Sequence, residues 1–103
     1  MINTDEIIND LEIFGKNKFT GNIDKEFAKK IAKNLTILEK ELYEEEKELG
    51  ISLDDDYSLM SESEWYSDLI NPDIKIKNII DWIDTKEIDI IDTKRYKEDE
   101  VRD

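Results

Sequence analysis

Asp54, Asp55 and Asp56 stand in a row, and three adjacent carboxylates invite a divalent cation. An EF-hand loop opened at Asp54 puts Asp56 at its third position and Ser58 at its fifth. Leu59 then takes the place of the required glycine, and Trp65 that of the bidentate glutamate. That leaves at most a loose cation site. Pro72-Asp73 followed by Asp84-Thr85-Lys86, or by Asp92-Thr93-Lys94, has the residue order of a magnesium nuclease. That chemistry needs a carboxylate pair on the metal and a lysine near the attacking water. The pattern is short, arises readily in a chain rich in Asp and Lys, and belongs here to a protein whose net charge of −13 repels nucleic acid. Ser52, Ser58, Ser61, Ser63 and Ser67 have no histidine to activate them, because the chain holds neither histidine nor cysteine. Gly15, Gly21 and Gly50 are scattered as punctuation and form no phosphate loop. We therefore expect no enzyme, no catalytic residue, no cofactor and no metal site.

What the chain does carry is unevenly placed charge. Residues 1–14 hold four acids and no base, whereas residues 15–38 hold six lysines against Asp24 and Glu26. Residues 39–68 hold twelve acids against Lys40 and Lys47, and residues 69–103 hold ten acids and seven bases. Most of the net charge therefore lies between Glu39 and Asp68. A surface of this sign argues against nucleic acid or an anionic membrane as a direct ligand and favours a basic protein.

The element that must position these charges is Asp24–Leu49, read as one long helix capped by Asp24 and closed by Gly50. Phe27, Ile31, Leu35, Leu38, Leu42 and Leu49 share one face, flanked by Ala28 and Ala32, which let another element approach. A helix of this length spans roughly 40 Å, more than the core beneath it needs, so its last turns are expected to project and Tyr43–Glu48 to be mostly solvated. Its charges oppose the macrodipole: Lys25, Lys29 and Lys30 crowd the N-terminus, and Glu44, Glu45, Glu46 and Glu48 the C-terminus. Each such placement costs about 0.3–1 kcal/mol at low salt.

Around it, Thr4 is the cap candidate of a short amphipathic helix carrying Ile7, Ile8, Leu11 and Phe14, with Gly15 at its far end. Lys16–Asn22 reads as a connector. Ser61 and Glu64 form a capping box that opens a helix through Ile70, ended by Asn71-Pro72-Asp73. Ile76, Ile79, Ile80 and Ile83 predict a further helix over about Asp73–Ile83. Ile74-Lys75-Ile76-Lys77 alternates and suits a strand as well, and the next segment is ambiguous too: Asp84 and Glu87 suit a second capping box, while Glu87-Ile88-Asp89-Ile90-Ile91 is also plausible β. Helix is the reading adopted, with a short β element in the C-terminal third as the alternative. The expected fold is mainly α: a small helical bundle on one central helix, with residues 1–96 a single domain and 97–103 a charged, frayed tail.

Three explanations of the reversed charge stay open. The acidic end is a binding surface neutralised by a basic partner; or the helix pairs antiparallel with a second copy through Phe27, Ile31, Leu35, Leu38 and Leu42; or the run is simply solvated. The first leads to a small acidic inhibitor of a basic nucleic-acid-handling protein, a nuclease or CRISPR effector, whose DNA or RNA groove the carboxylates occupy. Carboxylates on successive turns recur about every 5.4 Å, comparable with phosphates along a strand. Phage-encoded anti-CRISPR and anti-restriction proteins work this way as a class, and a length near 100 residues with an isoleucine-, lysine- and asparagine-rich, AT-biased composition suits that class. The expected contacts are Glu41, Glu44, Glu45, Glu48, Asp54, Asp55, Asp56, Glu62 and Glu64. Tyr43 and Tyr57 are the expected surface anchors, and Trp65 and Trp82 are assigned to the core. An immunity protein against a basic nuclease toxin is the alternative, and a helical dimeric adaptor the second. With no signal-peptide pattern in the first residues and no apolar run of membrane-spanning length, the expected location is the cytoplasm of a bacterial host cell.

Overall fold

Asn3, rather than Thr4, opens the first helix: its Oδ1 accepts from the Asp5 and Glu6 amides at 3.0 and 3.4 Å. The computed structural model describes residues 3–51 and 58–101, with side chains described through Tyr96. Helix α1 (Thr4–Phe19) runs straight through Gly15 and absorbs most of the expected connector. Gly15 does not terminate it because the missing side chain serves packing. A Cβ there would lie 3.2 Å from the Ile76 Cβ, so the residue is a close-approach point between helices. The terminating glycine is Gly21, at φ +85°, where the Asn22 amide donates back to the Asn17 carbonyl at 2.7 Å.

Helix α2 (Lys25–Leu49) has the ends expected of it. The Asp24 carboxylate accepts from the Glu26 and Phe27 amides. Gly50 is left-handed at φ 75°, with Ile51 N–H donating to Glu46 C=O and Gly50 N–H to Lys47 C=O, a Schellman closure. Helix α3 (Glu62–Ile70) opens on the reciprocal Ser61–Glu64 box, both bonds 3.2 Å, and stops at Asn71 before Pro72. Helix α4 (Ile76–Val101) begins three residues later than expected and passes Ile83 without a break. Ile76, Ile79, Ile83 and Ile90 are buried while Ile88 and Ile91 are exposed, so the helical period prevails over the two-residue alternation. No strand occurs among the described residues.

The architecture is a four-helix, all-α bundle organised on α2. Helix α1 lies antiparallel to it, with Lys30 3.6 Å from Asp10. Helix α3 covers another face of α2, its most extensive contact in the fold, and Ala32 there faces Ser63 and Tyr66. Helix α4 starts against Gly15 and returns to the C-terminal end of α2, where Lys86 meets Glu46. The core is one cluster to which all four helices contribute, centred on Leu11, Phe14, Ile31, Leu35, Leu69 and Ile83. Phe14 meets Phe27 edge-on with centroids 6.1 Å apart, and Trp65 meets Trp82 at 5.5 Å. Ile31, Leu35, Leu38 and Leu42 are buried and Phe27 packs against them, so the apolar stripe of α2 is covered within one chain, without a second copy.

Two polar ties hold the turns. The buried Glu39 carboxylate accepts from the Met60 amide at 2.8 Å, fixing the approach to α3. Lys18 Nζ donates to the Asn71 and Ile74 carbonyls at 2.6 and 2.7 Å, pinning the α3–α4 turn to the end of α1. Burial pushes the Lys18 ammonium below its ordinary 10.5, with Asp68 opposing the shift.

Candidate protein-binding groove

The last turns of α2 do not project. Glu46 is 4% exposed and held by Lys86 at 3.2 Å, and Glu45 is half-buried beneath Lys94 at 2.5 Å. Lysines of α4 thus answer two of the acids that oppose the α2 macrodipole, and the reversed charge is partly resolved inside the chain.

What remains unanswered is gathered in one place. Between α2 and α4, closed by Thr4 of α1, runs a groove of about 630 Å³. Glu41, Glu44, Glu45 and Glu48 line it from α2, and Glu87 and Lys94 from α4. Its apolar floor is Leu38, Leu42, Ile90 and Ile91. The four α2 glutamates fall at spacings of three and four, so they occupy one patch of helix surface with neighbouring Cβ atoms about 5–6 Å apart. Glu41, Glu44 and Glu48 make no ion pair among the described residues. Glu87 Oε1 is shielded from solvent and has no hydrogen-bond donor there. A shielded carboxylate oxygen without a donor is costly to the fold.

Of the contacts expected from the sequence, the structure brings Glu41, Glu44, Glu45 and Glu48 together. It does not bring Glu62 and Glu64 to them. Glu64 is engaged in the α3 capping box, and Glu62 borders a separate small hollow with Lys29, Ala32, Ser63 and Tyr66. Tyr43 is half-buried, with the Lys47 ammonium 5.4 Å over its ring, rather than a projecting anchor. Asp54, Asp55, Asp56 and Tyr57 lie outside the described residues. Sequence reasoning missed the α4 half of the groove. Glu87, Ile90, Ile91 and Lys94 share one face at spacings of three, one and three, a pattern legible only once residues 76–101 are one helix.

No group of three or more acidic side chains among the described residues is disposed to hold a metal ion, and no described helix is long and apolar enough to cross a membrane. Comparison with known proteins gives no match to a family model, a curated protein or a solved structure.

Proposed function

We propose that this chain is a small acidic inhibitor that binds a basic nucleic-acid-handling protein through the α2–α4 groove, its carboxylates standing where the partner holds phosphates. The observation that carries the reading is the patch of Glu41, Glu44 and Glu48, which make no ion pair among the described residues and sit beside an apolar floor. Lysine and arginine side chains are amphipathic in the matching sense. Their methylene stems can lie on Leu38, Leu42, Ile90 and Ile91 while the charged heads reach the glutamates and Glu87. A basic segment of the kind that lines a nucleic-acid channel fits both halves of the groove, whereas a purely electrostatic decoy would need no floor. The reading places such a protein with anti-CRISPR and anti-restriction inhibitors in mode of action.

The test is affinity capture from a bacterial lysate with nucleic acid digested, in low and high salt, using wild type and a Glu41→Lys/Glu44→Lys/Glu48→Lys variant. A basic nuclease or DNA-binding protein retained only by wild type, released by salt and by competing oligonucleotide, supports the proposal. Glu45 stays unchanged in the variant because its reversal would set two cations against each other at Lys94. Equal capture by wild type and variant would sink the groove as the binding site.

A further inference from the structure

At the opposite end of the bundle, the end of α1 and its turn into α2 face the α3–α4 turn and the start of α4. A second hollow, of about 860 Å³, opens between them. Its walls are apolar: Phe19, Ile23, Pro72, Ile74, Ile76 and Ile80. Among the described residues its charged lining groups are Lys16, Lys18, Lys75 and Lys77, in a chain where acids outnumber bases 28 to 15. Lys18 is committed to two backbone carbonyls, whereas Lys16, Lys75 and Lys77 line the recess and make no ion pair among the described residues. Phe19 is 93% exposed and Ile23 39%, so this end leaves in water apolar surface that the core does not use.

We propose that this hollow binds a free anionic amphiphile, an alkyl or aryl body bearing one carboxylate, sulfonate or phosphate head. The apolar walls take the body, Phe19 lies along it, and Lys16, Lys75 and Lys77 hold the head. The recess falls within the roughly 300–1,000 Å³ range of small-molecule sites. A single molecule suits it better than a bilayer for two reasons. The apolar surface is concave and walled by two segments, and an anionic bilayer extends beyond the local lysines to meet the field of a chain of net charge −13. A small anion feels chiefly the lysines within about one Debye length of it. This site is independent of the α2–α4 groove.

The experiment is a fluorescence titration of the full chain with 1-anilinonaphthalene-8-sulfonate, followed by displacement with dodecanoate below its micellar concentration. Dodecanol and dodecylammonium serve as neutral and cationic comparators. The expected result is saturable one-to-one binding, with dodecanoate at least tenfold tighter than dodecanol. Lys16→Glu/Lys75→Glu should weaken dodecanoate at least tenfold, and Thr20→Trp on the rim should block the recess. Both variants alter exposed side chains, and unchanged circular dichroism and thermal midpoint establish that they fold. Glu41→Lys/Glu44→Lys/Glu48→Lys should bind dodecanoate as wild type does, so this inference can fail or hold separately from the inhibitor reading. Equal affinity for acid and alcohol, or indifference to both recess variants, overturns it. So does binding to phosphatidylglycerol vesicles without binding monomeric dodecanoate, which would assign the tip to membranes. Amphiphile-independent dimers lost in the same variants would likewise overturn it, assigning the tip to a second copy.

Discussion

A carboxylate with 4% of its surface exposed is tolerable only if its charge is met, and Glu46 is met by Lys86. Removing the cation strands the anion, whereas removing both ends leaves an apolar contact under α4. Lys86→Met is therefore expected to cost about 3 kcal/mol, and Glu46→Leu/Lys86→Met much less, in urea unfolding. A double variant as unstable as the single one would show that the pair contributes through packing rather than charge. Lys18 poses the converse problem, a cation used to satisfy two carbonyls. Lys18→Met leaves the Asn71 and Ile74 carbonyls without their donor and should cost about 1–3 kcal/mol. Burial lowers the folded pKa of Lys18 below 10.5, so between the two values the unfolded chain binds more protons. The stability advantage of wild type over Lys18→Met should accordingly grow as pH rises from neutrality toward 10.5. A constant difference would show that Lys18 keeps its proton equally in both states.

Local chemistry made most helix ends legible, with the α1 cap at Asn3 one residue before the expected Thr4, whereas a distant residue can hide one. The Asp24 and Gly50 caps of α2 and the Ser61–Glu64 box follow from neighbours a few positions away, and the structure has all three. Gly15 carries the ordinary signature of a helix end, yet Ile76 makes it an interior position. The stretch around Ile88 and Ile90 keeps a strand as the alternative to the adopted helix until Ile83 and Ile90 are seen buried in one core, which no local pattern reveals. Gly15→Ala tests this reasoning on one atom. In an open helix the change gains about 0.5–1 kcal/mol. Here the new Cβ lies 3.2 Å from the Cβ of Ile76, itself 6% exposed and too near its backbone to swing aside. Overpacking of this kind typically costs about 1–3 kcal/mol, so a net loss of roughly 1 kcal/mol is expected in urea unfolding. A gain instead would mean that the start of α4 yields.

Across the whole molecule, the antiparallel course of α1 and α2 and the return of α4 sort charge by end. Lys16, Lys18, Lys75 and Lys77 gather at one end, and Glu41, Glu44, Glu48 and Glu87 line the groove at the other. The α2 half of that groove was legible because four acids on one helix face need no tertiary information. The α4 half was not, since it depends on where α4 packs. This sorting has a consequence for stability that separates the groove acids from their neighbours. Glu44 and Glu48 stand in the last two turns of α2, facing like charges and the negative end of the macrodipole, and neither makes an ion pair among the described residues. Converting Glu44 and Glu48 to lysine should therefore stabilise the fold, by about 0.3–1 kcal/mol each at low salt. Glu45→Lys sits between them yet should destabilise it, because it breaks the contact with Lys94 and leaves two cations facing. Both effects should shrink as salt is raised. Urea unfolding of the three variants at low and high ionic strength reads this directly. Opposite signs at adjacent positions would mark Glu44 and Glu48 as residues kept at a cost to the fold, as binding residues are; a common sign for all three would reduce the groove to a solvated run of charge.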